Sequence, residues 1–158
     1  MQAVCRTRRQ LVSEASAIKT QIRQLMSIVF REFQGLVNAA ELKQQKIFAS
    51  FWNRKSQMIM RYYPLPDQLL QLGETGLRQL AAAEKVEIED QEIELLLIAA
   101  ERALMLQSMD HSWFLGEQIK FRLKQLETLE EQIAHLEFQV EEMLVKNTGR
   151  IALNHQGC

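Results

Sequence analysis

Both prolines of this 158-residue chain fall within one three-residue stretch, Pro64-Leu65-Pro66. Each lacks a backbone donor and restricts the residue before it, so no regular helix runs through them. The rest of the chain is free of proline and holds only six glycines. A sandwich or barrel needs many tight turns, whereas long helices tolerate few breakers. The chain is therefore expected to be all-α, with one obligatory break near residue 64. Its 47% hydrophobic and 25% charged residues suit a folded globular or coiled-coil chain better than a disordered one.

Periodicity supplies the helices. Leu11, Ala15, Ile18, Ile22, Leu25, Val29, Phe33 and Leu36 recur at steps of four and three. That spacing puts them on one face of a long helix over 4–37, and the face needs a partner. A second helix is expected over 40–61, carrying Leu42, Ile47, Phe48, Phe51, Trp52, Ile59 and Met60. Beyond the prolines, Pro66 or Asp67 can open a short helix through Leu72. Gly73 closes it, and another short helix follows through Ala83. The acidic run from Glu87 then opens a helix to about Gln107, since carboxylates suit the positive end of the helix dipole.

The last helix, over 113–146, carries the best heptad. Ile119, Leu126, Ile133 and Val140 take the a positions, and Leu129, Leu136 and Met143 three of the d positions. β-branched residues at a with leucine at d suit a two-stranded seam, which Arg122 interrupts at one end. These seven apolar residues are the candidates for dimerisation. Residues 147–158 read as a frayed tail. The expectation is one helical domain over 1–158, a long antiparallel hairpin or coiled coil with the shorter helices of 40–107 clustered at its tip.

The longest apolar run, Leu95 to Ala100, is far short of the ~20 residues that a bilayer span requires. No apolar stretch follows the first charges, so a secretory signal is not expected and the chain reads as cytoplasmic. Cys5 and Cys158, without a CxxC spacing, read as free thiols.

The net charge of −1 conceals an asymmetry. Residues 1–62 hold eleven Lys/Arg against three Glu, a balance of +8, and residues 63–158 hold eight against seventeen Asp/Glu, a balance of −9. Such a split points to nucleic acid or to mutual neutralisation of the two halves. The candidates for phosphate contact are Arg6, Arg8, Arg9, Lys19, Arg23, Lys46, Arg54, Lys55 and Arg61. No base-reading motif accompanies them.

Enzyme motifs are missing: no Gly-rich phosphate loop, G-x-S-x-G or H-E-x-x-H occurs. His111, His135 and His155 are too far apart in sequence to form an i, i+4 ligand pair. The carboxylate pairs Glu130/Glu131 and Glu141/Glu142 read as solvated helix faces. Trp52, Tyr62, Tyr63 and Trp113 read as packing residues, although aromatic faces can also stack on bases. No catalytic residue, metal, cofactor or small-molecule ligand is called for.

The order of features carries a resemblance. Arg6-x-x-Arg9-x-Leu11-Val12 opens the first helix, which includes Ile18-Lys19-x-x-Ile22-Arg23. Tyr62-Tyr63-Pro64-Leu65-Pro66-Asp67-x-Leu69-Leu70-x-Leu72-Gly73 follows, and then the heptads from Leu126 to Glu137. This succession, over roughly 6–144, resembles the central coiled-coil region of DEDD-type bacterial insertion-sequence transposases with a RuvC-like front domain. The resemblance implies a non-catalytic piece of a larger recombinase, with the four acidic residues upstream and the nucleophilic serine downstream. It implies DNA and a guide (bridge) RNA as partners, and pairing of protomers into a dimer. Arg6, Arg9, Lys19, Arg23 and Arg61 become the foremost candidates for nucleic-acid contact. The competing expectation is a standalone helical adaptor without a nucleic-acid partner.

Overall fold

The computed structural model describes residues 2–38, 43–106 and 112–147. The fold is all-α. Among the described residues there are five α-helices: α1 (Gln2–Val29), α2 (Arg54–Tyr62), α3 (Pro66–Ala83), α4 (Asp90–Leu106) and α5 (Ser112–Lys146). A 3-10 turn at Arg31–Gln34 and two short antiparallel strands, β1 (Leu36–Asn38) and β2 (Lys43–Gln45), complete the set. No helix among the described residues is long and apolar enough to cross a membrane.

The chain divides into two compact units, one of residues 1–21 and 124–158, the other of 22–123. Within the first unit, α1 and α5 run antiparallel: Arg8 pairs with Glu137 at 2.8 Å and Lys19 with Glu130 at 3.9 Å. Their facing positions are Val4, Leu11, Ala15 and Ile18 on one helix and Leu129, Ile133, Leu136 and Val140 on the other. Of these only Ala15 is fully buried, and the rest are half-buried. The heptad of α5 is thus turned to a helix of its own chain. Cys5, also buried on α1, is disulfide-bonded, which corrects the free-thiol expectation. The lack of a CxxC spacing excluded one kind of motif but did not bear on cross-linking. Cys158 and the expected tail beyond Asn147 lie outside the described residues.

The second unit has a continuous core. Ile22, Met26 and Phe30 are fully buried, as are Ile59 and Met60 of α2, Leu69 and Leu77 of α3, and Leu96 of α4. Ile119 and Leu123 of α5 complete it. α4 presents Ala99, Ala100 and Ala103, all at zero exposure, a small-residue face that lets neighbouring backbone come close. Gly73, at φ 67 and ψ −178, breaks α3 into two segments where the sequence places a stop. Only glycine takes this conformation readily. Pro66 sits in the first turn of α3, and Gln68 Oε1 accepts the Leu65 backbone N–H at 3.3 Å.

Two expected helices are corrected. The first does not run to residue 37 but ends at Val29, because Phe30 leaves the helical region at φ −155, ψ 66. Phe30 and Phe33 instead pack with tilted rings at 5.5 Å, and Phe33 meets Phe48 and Phe51 edge-on, each at 6.0 Å. Aromatic packing of this kind outweighs the few tenths of a kcal/mol per residue by which helix propensities differ. Nor does the second helix begin near residue 40. Lys43, Gln44 and Gln45 pair with β1, in the register Leu36↔Gln45, Val37↔Gln44 and Asn38↔Lys43. Helix α2 starts only where the Asn53 side chain accepts the Ser56 backbone N–H at 2.9 Å, an ordinary N-cap. The break expected around 108–112 lies largely outside the described residues.

Candidate nucleic-acid interface

The nine basic candidates separate by unit. Arg6, Arg8, Arg9 and Lys19 lie on α1 in the first unit, whereas Arg23, Lys46, Arg54, Lys55 and Arg61 belong to the second. Three of them are held by carboxylates of the acidic half. Arg8 donates to the single oxygen Glu137 Oε1 from both Nε and Nη2, at 3.0 and 2.8 Å. Lys19 faces Glu130. Lys55 Nζ donates to Glu92 Oε1 at 2.8 Å, and the Glu92 side chain is only 12% exposed. Glu92 also accepts the Glu89 backbone N–H at 2.9 Å, so the same carboxylate caps α4 and anchors α2.

The other candidates are placed differently. Arg6, Arg23, Lys46 and Arg54 are exposed and meet no carboxylate among the described residues. The Arg23 guanidinium lies 4.9 Å from the centre of the Phe51 ring, a cation–π contact that orients it without neutralising it. Arg61 stands over Tyr62 at 5.9 Å. The Tyr62 hydroxyl donates to Glu84 Oε1 at 2.6 Å, and that bond to a carboxylate pushes the phenol above its ordinary value.

Arg23 and Lys46 converge on a cavity of about 340 Å³ in the second unit. Its polar lining comes from Gln34, Gln44, Ser50 and Ser56, and its apolar lining from Phe33, Phe48 and Phe51. No carboxylate among the described residues lines it. The local backbone explains how these side chains meet. Gly35, at φ 148, turns the chain from the 3-10 turn into β1, and a Cβ there would lie 2.7 Å from the Gln44 side chain. Across that gap Gln44 Nε2 donates to the Gln34 carbonyl at 3.4 Å. The loop between β2 and α2 then brings Lys46, Ser50 and Phe51 back beside Arg23. Sequence reasoning named the two cations, but it missed the cavity and its amides because it read this loop as helix. Asn53, an N-cap residue three before Ser56, was the available signal.

Neither a family model, nor a curated protein, nor a solved structure matches this chain.

The dimerisation candidates also divide. Ile119 and Leu126 are fully buried within the single chain, and Leu129, Ile133, Leu136 and Val140 are half-buried. Met143 is 46% exposed, while Leu144 beside it is half-buried. At the other end Leu123, not Arg122, fills the buried position between Ile119 and Leu126. The strict heptad holds only over the stretch between these two points.

Proposed function

We propose that this chain is a non-catalytic scaffold of a transposase-type recombinase that presents a basic face to DNA or RNA. The observation that carries the reading is the set of exposed cations, Arg6, Arg23, Lys46 and Arg54, which meet no carboxylate among the described residues, whereas Arg8, Lys19 and Lys55 are paired across the two halves. The order of motifs from Arg6 to Leu144 supports the family. Pairing of protomers, if part of this role, uses the half-buried stretch Leu129–Met143, since Ile119 and Leu126 are already covered within one chain. The test is binding of a short duplex and a single-stranded RNA to the purified chain. Raising salt from about 50 to about 200 mM should weaken that binding steeply if phosphates are the ligand. Arg6→Ala and Arg54→Ala should each weaken it across all sequences alike and reduce the salt slope by roughly one. Salt-independent affinity, or no binding at low salt, removes the reading.

A second reading is favoured by the ion pairs themselves. Arg8–Glu137, Lys19–Glu130 and Lys55–Glu92 each join the basic half to the acidic half. In a standalone helical adaptor the charge asymmetry serves folding alone. Such a protein is a monomer by light scattering and ignores both nucleic acids.

A further inference from the structure

The cavity beside Arg23 and Lys46 has a feature that packing alone does not account for. Ser56 is fully buried, and its hydroxyl finds no hydrogen-bond partner among the described residues. A buried hydroxyl left unmet costs on the order of 1–3 kcal/mol, and native structures keep few of them. A serine in the first turn of a helix could be alanine at no loss to α2, whose cap comes from Asn53 rather than from Ser56. The hydroxyl nevertheless sits on a residue that lines a cavity with two cations and, among the described residues, no carboxylate. The Nε2 groups of Gln34 and Gln44 already donate, to Ser27 Oγ and to the Gln34 carbonyl, so their carboxamide oxygens are what they offer a ligand, and the phenylalanine rings add an apolar wall for a flat ring. At about 340 Å³ the space falls at the small end of ligand pockets.

We propose that this cavity is a binding site for a mononucleotide-sized phosphoester, with the phosphate between Arg23 and Lys46 and the Ser56 hydroxyl, which is closed off in its present rotamer, turning into the cavity to meet the ligand. The site departs from the expectation that no small molecule is bound, and it does not rest on the scaffold reading. The same chemistry is offered by a free nucleoside monophosphate and by the phosphorylated end of a strand.

The experiment is calorimetric titration of the full chain with inorganic phosphate, with each of the four ribonucleoside monophosphates, and with a short single strand with and without its 5′ phosphate. Ser56→Ala and Lys46→Ala are measured beside the unaltered chain. Ser56→Ala is the cleaner variant, because it removes no existing hydrogen bond among the described residues and should leave the melting temperature level or raised. Each substitution should lower affinity about tenfold, the effect of losing one hydrogen bond or charge contact to the ligand. Saturable binding of a monophosphate that both substitutions weaken supports a free-nucleotide site. Binding confined to the 5′-phosphorylated strand, again weakened by both, supports a strand-end site. Absence of binding by every probe at millimolar concentration, or binding that Ser56→Ala and Lys46→Ala leave unchanged, overturns the proposal. Salt-sensitive duplex binding that survives both substitutions would leave the scaffold reading standing without this site.

Discussion

The two units use similar helices to different effect. In the unit of residues 1–21 and 124–158, two helix segments face one another; Cys5, Ala15 and Leu126 are buried, and the other apolar residues of the facing stripes remain half-exposed. In the unit of residues 22–123, four or more elements converge, and side chains from α1 to α5 reach zero exposure. A pair of helices can cover only one stripe on each, so its apolar residues keep one flank in water. A cluster covers its central residues from every side. Stability should therefore be concentrated in the second unit, and the ion pairs should follow the same division.

The largest expected effect tests the core. Leu96 on α4 has zero exposure, and Leu96→Ala should cost about 3–5 kcal/mol through lost transfer energy and a residual cavity. Chemical denaturation followed by circular dichroism measures it, and a loss below about 1 kcal/mol would mean that the core closes around the gap as no well-packed interior does.

Next in size is the Lys55–Glu92 pair, which is more enclosed than Arg8–Glu137 or Lys19–Glu130. Glu92→Ala takes away a capping acceptor and leaves the Lys55 ammonium in a half-buried position without its carboxylate. A loss of about 2 kcal/mol is expected, with about half of it from the cap alone. Comparing Glu92→Ala with Lys55→Met separates the two contributions, since the methionine variant keeps the cap. Equal losses in both would assign the whole effect to the ion pair.

Ile133→Ala and Leu136→Ala probe the helix pair. Both residues are half-buried, so each should cost about 1–2 kcal/mol, less than the leucine in the core. A loss equal to that of Leu96→Ala would show this face to be fully covered in solution, as by a second copy of the chain. Light scattering across a concentration series then decides whether a dimer supplies the cover.

How far the sequence could be read follows the same division. The helix pair was legible because a steady three-and-four spacing survives wherever one stripe meets one partner. Thus Ala15, Ile18, Ile133 and Leu136 face as expected. Gly73 and Pro66 were legible for a different reason, since each permits few backbone conformations. The loop from Gly35 to Asn53 was not. Lys43, Gln44, Gln45 and Lys46 are good helix formers, and their strand and loop states come from hairpin pairing with β1 and from the Phe30–Phe33–Phe48 cluster. The cavity was hidden for the same cause, being built from that misread loop. The end of α3 at Ala83 falls where the sequence places it, although it is Lys85 and not a glycine that takes the left-handed conformation there, at φ 56.

The smallest effect bears on the surface charges. Two nitrogens of Arg8 donate to one oxygen of Glu137, yet the two side chains are 30% and 49% exposed. Water and salt screen such a pair, so a double-mutant cycle with Arg8→Ala and Glu137→Ala should return a coupling of about 0.5 kcal/mol. That coupling should fade further as salt rises toward about 1 M, where the Debye length falls to about 3 Å. Lys55–Glu92, enclosed in the second unit, should keep most of its coupling under the same salt. Equal fading of both would mean that water reaches Glu92 as freely as Glu137, and that enclosure of the second unit does not extend to its charged groups.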